Sequence, residues 1–169
     1  FTDSKIDKQF TKGETEIKIL NPISSDLDVL RRSVFSNLII HLKKNHDRGH
    51  EDLSFFEVGP VFFGKNPGEQ QIVVGGLKSG QVGRKSWFEK SRNIDVFDIK
   101  SDAIRTLVDL GLDENDLFIS NNTKNCYHPG RSGSINLKTK KGPHLAYFGE
   151  LHPAIITNLD FKEKNIFGL

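Results

Sequence analysis

Apolar residues recur along this chain at two different periods, and the changes of period divide it into elements. In residues 16–20, Ile17 and Ile19 alternate with polar neighbours and predict a short strand. Asn21-Pro22 ends it, because proline moves the residue before it away from the helical region. After a polar turn at Ser24, Ser25 and Asp26 the period becomes helical. Leu30, Val34, Leu38 and Leu42 form one stripe, Phe35 and Ile39 form a second beside it, and Ile40 widens the apolar arc. This predicts a helix near 33–48, capped by Asp26 or Ser33, with Lys43, Lys44 and Arg48 at its negative end and Gly49 as its stop. The arc is wider than one small domain is expected to bury, so part of it is expected to face another surface.

Residues 53–63, "LSFFEVGPVFF", predict a strand bent at Gly59-Pro60. "KNPGEQ" is a turn, and 71–77, "QIVVGGL", is the partner strand of a hairpin. Residues 78–93 are basic, carry Trp87 and Phe88, and are expected to be a loop. Residues 95–99 alternate as a short strand, and 101–110 predict an amphipathic helix capped by Ser101 and stopped by Gly111. Strands are expected at 117–120, 132–138 and 144–148, then a short helix in "GELHPAIITNLDF" and a strand start at "NIFGL". Residues 1–14 show little periodicity. Several strands follow one another without an intervening helix, which favours an α+β fold with an antiparallel sheet.

Composition adds limits. The 169 residues, 36% hydrophobic and 27% charged, fit one domain over 1–169 with a core of its own. A net charge of +2 gives no bulk electrostatic case for nucleic-acid binding, though it leaves a local patch open. Thirteen Phe against two Tyr and one Trp supply rings without a polar handle, suited to core or interface. The lone Cys126 allows no internal disulfide and suits a reducing, cytoplasmic setting. No apolar run approaches the roughly 20 residues of a membrane span, and no signal-peptide pattern opens the chain. With no Met anywhere, the chain is expected to be a domain of a longer polypeptide.

Candidate chemistry is sparse. "GGLKSGQVGRKS", 75–86, lacks the Gly-Lys-Ser/Thr order and following helix of a phosphate loop, because Arg84 separates Gly83 from Lys85. His41, His46 and His50 crowd one helix end at spacings that point to different sides, so no metal site is expected. No carboxylate pair or Ser-His-Asp spacing stands out, and no catalytic residue is assigned. Lys138, Lys140 and Lys141 mark a turn that could touch a nucleic-acid backbone. In "YHPGRSGSI", 127–135, two readings stand side by side. One is a structured turn at Pro129-Gly130. The other is a loop in which Arg131, beside His128, holds an anion or a partner's carboxylate.

"LNPISSDLDVLRRSVFSNLI", "LSFFEVGPVF", "WFEKSRNIDVFDIKSDAIRTLVDLGL", "YHPGRSGSI" and "GELHPAII" occur in the order found in the bacterial phenylalanyl-tRNA synthetase beta subunit. The chain resembles the catalytic-like core module of that family from about residue 15 to its end. The motif positions are Asn21, Pro22, Arg31, Glu57, His128, Pro129, Gly130, Arg131, Gly149, Glu150, His152 and Pro153.

The resemblance implies a class II synthetase-like antiparallel sheet flanked by helices. It implies an α2β2 enzyme that charges tRNA with phenylalanine using ATP and Mg²⁺, with the active site in the alpha subunit. It implies that the beta module does no chemistry, and that its long helix packs against alpha and a second beta subunit through Val34, Phe35, Leu38, Ile39 and Leu42. A working class II site carries Phe-Arg-x-Glu on its second-motif strand and an Arg on its third-motif helix. Here "SFFEVGP" has Glu57 but Phe55 or Phe56 in the arginine's place, and no Arg follows Gly149. Without those cations the phosphates lack their electrostatic clamp. No cofactor is therefore expected in this chain. Two rivals remain: a class II-like domain with its own ATP or amino-acid site, and a tRNA-contacting module built on the three lysines and the basic loop at 84–92.

Overall fold

The structure is a computed structural model, and it describes residues 1–83, 87, 91–161 and 165–169. Helix α1 (Ser4–Phe10) opens the chain, where no element was expected. Asp3 makes it possible by accepting the Lys5 amide, and Phe10 anchors it. Strand β1 (Ile17–Lys18) is shorter than the alternation predicts and pairs with β2 (Val29–Leu30), which takes Leu30 out of the helical stripe. Helix α2 (Phe35–His46) follows. Ser33 Oγ accepts the Phe35 amide at 3.2 Å, whereas Asp26 is remote in an exposed turn.

The hairpin β3 (Leu53–Phe62) and β4 (Gln70–Ser79) runs unbroken through Gly59-Pro60, with Pro60 opposite Ile72. Pro60 is tolerated because β3 is an edge strand, so its missing N–H leaves no ladder bond unmade. Short strands β5 (Gln81–Val82) and β6 (Arg92–Asn93) pair with each other. Helix α3 (Val96–Asp109) starts five residues before the expected Ser101 cap and absorbs the expected 95–99 strand. Its start is a reciprocal box. Asp95 accepts the Phe97 and Asp98 amides, and Asp98 accepts the Asp95 amide at 2.9 Å. Arg92 also donates to Asp98 and draws its carboxyl down to about 2. That contribution is present above the ordinary value of 3.8 and is lost as pH falls toward 2.

Strands β7 (Leu117–Ser120), β8 (Tyr127–Leu137) and β9 (His144–Leu151), helix α4 (Pro153–Asn158) and strand β10 (Ile166–Gly168) complete the chain. The main sheet has the order β3-β4-β10-β9-β8-β7, and every neighbouring pair is antiparallel. The α+β expectation with helices flanking an antiparallel sheet is what the structure shows at that level.

Consecutive residues of β10 report how the helices sit. Ile166 belongs to the cluster built on α2, and Phe167 belongs to the cluster built on α3. Side chains alternate across a strand, so the two helices cover opposite faces. None of the described helices is long and apolar enough to cross a membrane.

The wide apolar arc of α2 is covered by its own chain. Val34, Phe35, Leu38, Ile39 and Leu42 are all buried, Leu38 at 4% exposure. They pack with Phe10 of α1, Leu77 of β4, Leu151 of β9 and Ile155 of α4. This corrects their assignment to a subunit interface: they cannot reach a partner unless the core opens. Phe10 meets Phe35 edge-on at 5.7 Å, and Ser36 donates to Asp7 at 2.6 Å, so α1 packs directly on α2. Burial pushes the Asp7 carboxyl up, with Ser36 partly offsetting it.

Candidate interaction surface

Arg31 and Glu57 are joined. The Arg31 guanidinium is buried, ion-pairs with Glu57, and donates from Nε to the Pro60 carbonyl at 2.9 Å. A Cβ at Gly59 would run into that guanidinium. The pair ties the residue after β2 to the Glu57–Pro60 stretch of β3, and the Arg31 cation is engaged there. Removing one member of a buried pair strands the other, at about 3–5 kcal/mol when burial is complete. Glu57, the partner left behind, keeps 32% of its side chain exposed, so Arg31→Met should lower unfolding free energy in urea by about 1–2 kcal/mol. A loss under about 0.5 kcal/mol would place this pair with ordinary surface ion pairs.

Residues 127–131 belong to β8 and are not a turn. The ladder with β9 is irregular between Tyr127 and Ser132, so this part bulges. His128 Nδ1 accepts the Gly130 amide at 3.1 Å, and the His128 carbonyl accepts Ser132 Oγ at 2.5 Å. Pro129 and Gly130 are exposed. Arg131 Nε lies 2.7 Å from Glu150, whose side chain is 3% exposed. Of the two readings, the chain's own Glu150 supplies the carboxylate. Gly149 stands where β9 passes the bulge: a Cβ there would collide with Ser132.

His152 and Pro153 start α4: His152 accepts the Ala154 amide at 3.2 Å and Pro153 takes the first helical position. Asn21 and Pro22 are exposed between β1 and β2, flanked by Leu20 and Ile23, themselves almost fully exposed. Lys138, Lys140 and Lys141 are exposed at the β8–β9 turn. Of the basic loop expected over 84–92, positions 84–86 and 88–90 lie outside the described residues. Arg92 is paired with Asp98 at 2.6 Å. Among the described residues, no group of three or more His, Cys, Asp and Glu converges as metal ligands do. Cys126 is buried, which pushes its thiol up to about 11 and keeps it from being a thiolate near neutral pH.

A surface with no sequence assignment emerges on the α3 side of the sheet. Helix α3 packs mainly over β8, β9 and β10, leaving much of the β3–β4 half of that face exposed. Phe56 at 80% exposure, Val58 at 59% and Ile72 at 63% stand on it with Val74. The register sets Val58 opposite Val74, so the residues form one apolar patch. Between patch and helix runs an open groove of about 520 Å³, lined among others by Phe56, Val74, Leu110 and Leu169. The cations that line it are Lys78 and Arg105, each engaged by an acid: Lys78 with Asp102, and Arg105 with Asp109 at 3.0 Å. This surface is apolar and neutralised, and it offers no unpaired cation to a phosphate. The sequence did carry a signal: "SFFEVGPVFF" is apolar at successive positions, so both faces of the strand are apolar.

A sequence model described as the phenylalanyl tRNA synthetase beta chain CLM domain matches residues 1–168. The chain is 40% identical over 153 residues to a phenylalanine–tRNA ligase beta subunit of Paramagnetospirillum magneticum, covering 90% of this chain and 19% of that protein. It is 40% identical over 162 residues to the one from Rhodospirillum rubrum, covering 96% and 20%. The beta subunit of Bartonella quintana is 38% identical over 155 residues, covering 89% and 19%. The chain spans about a fifth of the length of these relatives.

Proposed function

The chain belongs to the phenylalanyl-tRNA synthetase beta chain CLM domain family, and from that premise we propose that it is a structural and assembly module of such a ligase. In this reading the parent enzyme charges tRNA with phenylalanine using ATP and Mg²⁺, in an alpha subunit that pairs with beta as α2β2. The six-stranded antiparallel sheet is then a class II-like scaffold without the chemistry. One observation carries the reading. The bare face of the sheet is apolar, and the two cations of its groove are already paired with Asp102 and Asp109. Stabilising a triphosphate requires preorganised cations aimed at it, and here they would first have to leave their partners.

The exposed Phe56, Val58 and Ile72 suit a docking role better than the buried residues of α2. We therefore place the alpha-subunit contact on the β3–β4 hairpin. Calorimetry of the chain with Mg-ATP and with phenylalanine, up to about 1 mM, the upper end of ordinary KM values, should give no saturable heat. Saturable micromolar binding of either would overturn this reading and favour an autonomous class II site.

A further inference from the structure

The charge of this chain is segregated. Five of its 24 Lys and Arg residues, and none of its 22 Asp and Glu residues, fall in 117–149, the stretch that forms β7, β8 and most of β9. Arg131 is taken by Glu150, and Lys138 sits against the acidic turn before β7, its amide donating to the Asp116 carbonyl at 2.6 Å. Lys124, Lys140 and Lys141 are exposed and, among the described residues, form no ion pair with a carboxylate.

Contacts link two of these lysines to one pair of rings, Lys124 through its side chain and Lys140 through its main chain, and Lys141 follows Lys140 in the same turn. Lys124 Nζ lies 4.9 Å from the centre of the Tyr147 ring. The Tyr147 and His144 rings are 3.8 Å apart and 32° from parallel. His144 pairs across the ladder with Asn136, whose amide donates to the Lys140 carbonyl at 3.2 Å. His144 is exposed while Tyr147 is half-buried, so the ring pair turns the imidazole outward. Partial burial, and then the charge of Lys124, hold His144 below its ordinary value.

We propose that this corner is an RNA-contacting surface: Lys124, Lys140 and Lys141 hold backbone phosphates, and the His144–Tyr147 pair stacks on an unpaired base. Aromatic rings beside unpaired cations are the combination that single-stranded nucleic acid uses, because phosphates and base faces must be met together. The inference does not depend on the assembly role, since the surface lies at the opposite edge of the sheet from the β3–β4 hairpin.

The test is fluorescence anisotropy of the 169-residue chain with a labelled single-stranded oligouridylate, from about 50 to 200 mM salt, with labelled heparin as a polyanion without bases. K140E/K141E should weaken oligouridylate binding at least tenfold and make the salt slope shallower by roughly 1.4, two lost phosphate contacts at about 0.7 each. His144→Ala should weaken oligouridylate binding about fivefold, leave the salt slope unchanged and spare heparin. If charge reversal lowers the melting temperature, K140Q/K141Q tests the same losses. Wild-type affinity in the lysine variants overturns the surface. Equal loss of heparin and oligouridylate in His144→Ala overturns its assignment to RNA.

Discussion

Leu38→Asp should unfold this domain rather than detach it from a partner. Leu38 is 4% exposed and lies in the cluster that joins α1, α2, β4 and β9. A carboxylate there would be desolvated with no cation at hand, and a neutralised acid would still sit among apolar side chains. Core changes of this kind belong to the largest class of point-mutant effects, about 4 kcal/mol or more. Domains of this size are stable by about 5–15 kcal/mol, so much of the total would go. Chemical denaturation followed by circular dichroism is the measurement. A cooperative transition at the wild-type midpoint would mean that the α2 side of the core is open to solvent, contrary to the packing described here.

The second expectation concerns the opposite face. Phe56→Lys with Ile72→Lys should leave the domain folded and abolish its association with an alpha subunit. These positions are 80% and 63% exposed, so replacing them removes little from the core. Substitutions at such sites usually change stability by no more than about 0.5 kcal/mol. An aromatic anchor at the centre of an interface is worth about 2 kcal/mol or more when lost, which is roughly 30-fold in Kd. Loss of the Phe56 anchor and of Ile72, plus two buried ammonium groups, should dissociate the complex at micromolar concentration. Sedimentation velocity of the co-purified subunits reads this directly. An intact complex carrying both lysines would move the contact off the β3–β4 hairpin.

The contrast between these two predictions shows which parts of the fold were legible. Elements set by local pattern could be read: the β3–β4 hairpin from its Phe- and Val-rich runs and its turn, the body of α2 from its stripes, and the end of α3 from Gly111, which takes φ +97. Elements set by polar reciprocity were missed. Asp95 and Asp98 begin α3 by capping each other, and this overrode an alternation that reads as strand. Helix α1 is too polar to show a period and exists because Phe10 and Asp7 meet α2 from far along the chain.

The site suffered from the same limit. Sequence pattern shows that α2 has more apolar surface than one sheet face needs, but not that α1 and α4 will cover it. Nor could it show that Arg131 is claimed by Glu150, nineteen residues away. The motif positions Asn21 and Pro22 are exposed, whereas Arg31, Glu57, Arg131 and Glu150 form two ion pairs that hold the strands. These polar residues shape the module, and the exposed face of the β3–β4 hairpin is apolar.

Hydrogen exchange on the chain, alone and mixed with an alpha subunit of a phenylalanine–tRNA ligase, tests the proposed assembly role most directly. Complex formation should slow exchange across β3 and β4, residues 53–62 and 70–79, and leave α2 as protected as it already is in the free chain. Mg-ATP should add no protection to the free chain. New protection confined to α2, or protection of the β3–β4 face by Mg-ATP alone, would contradict the account.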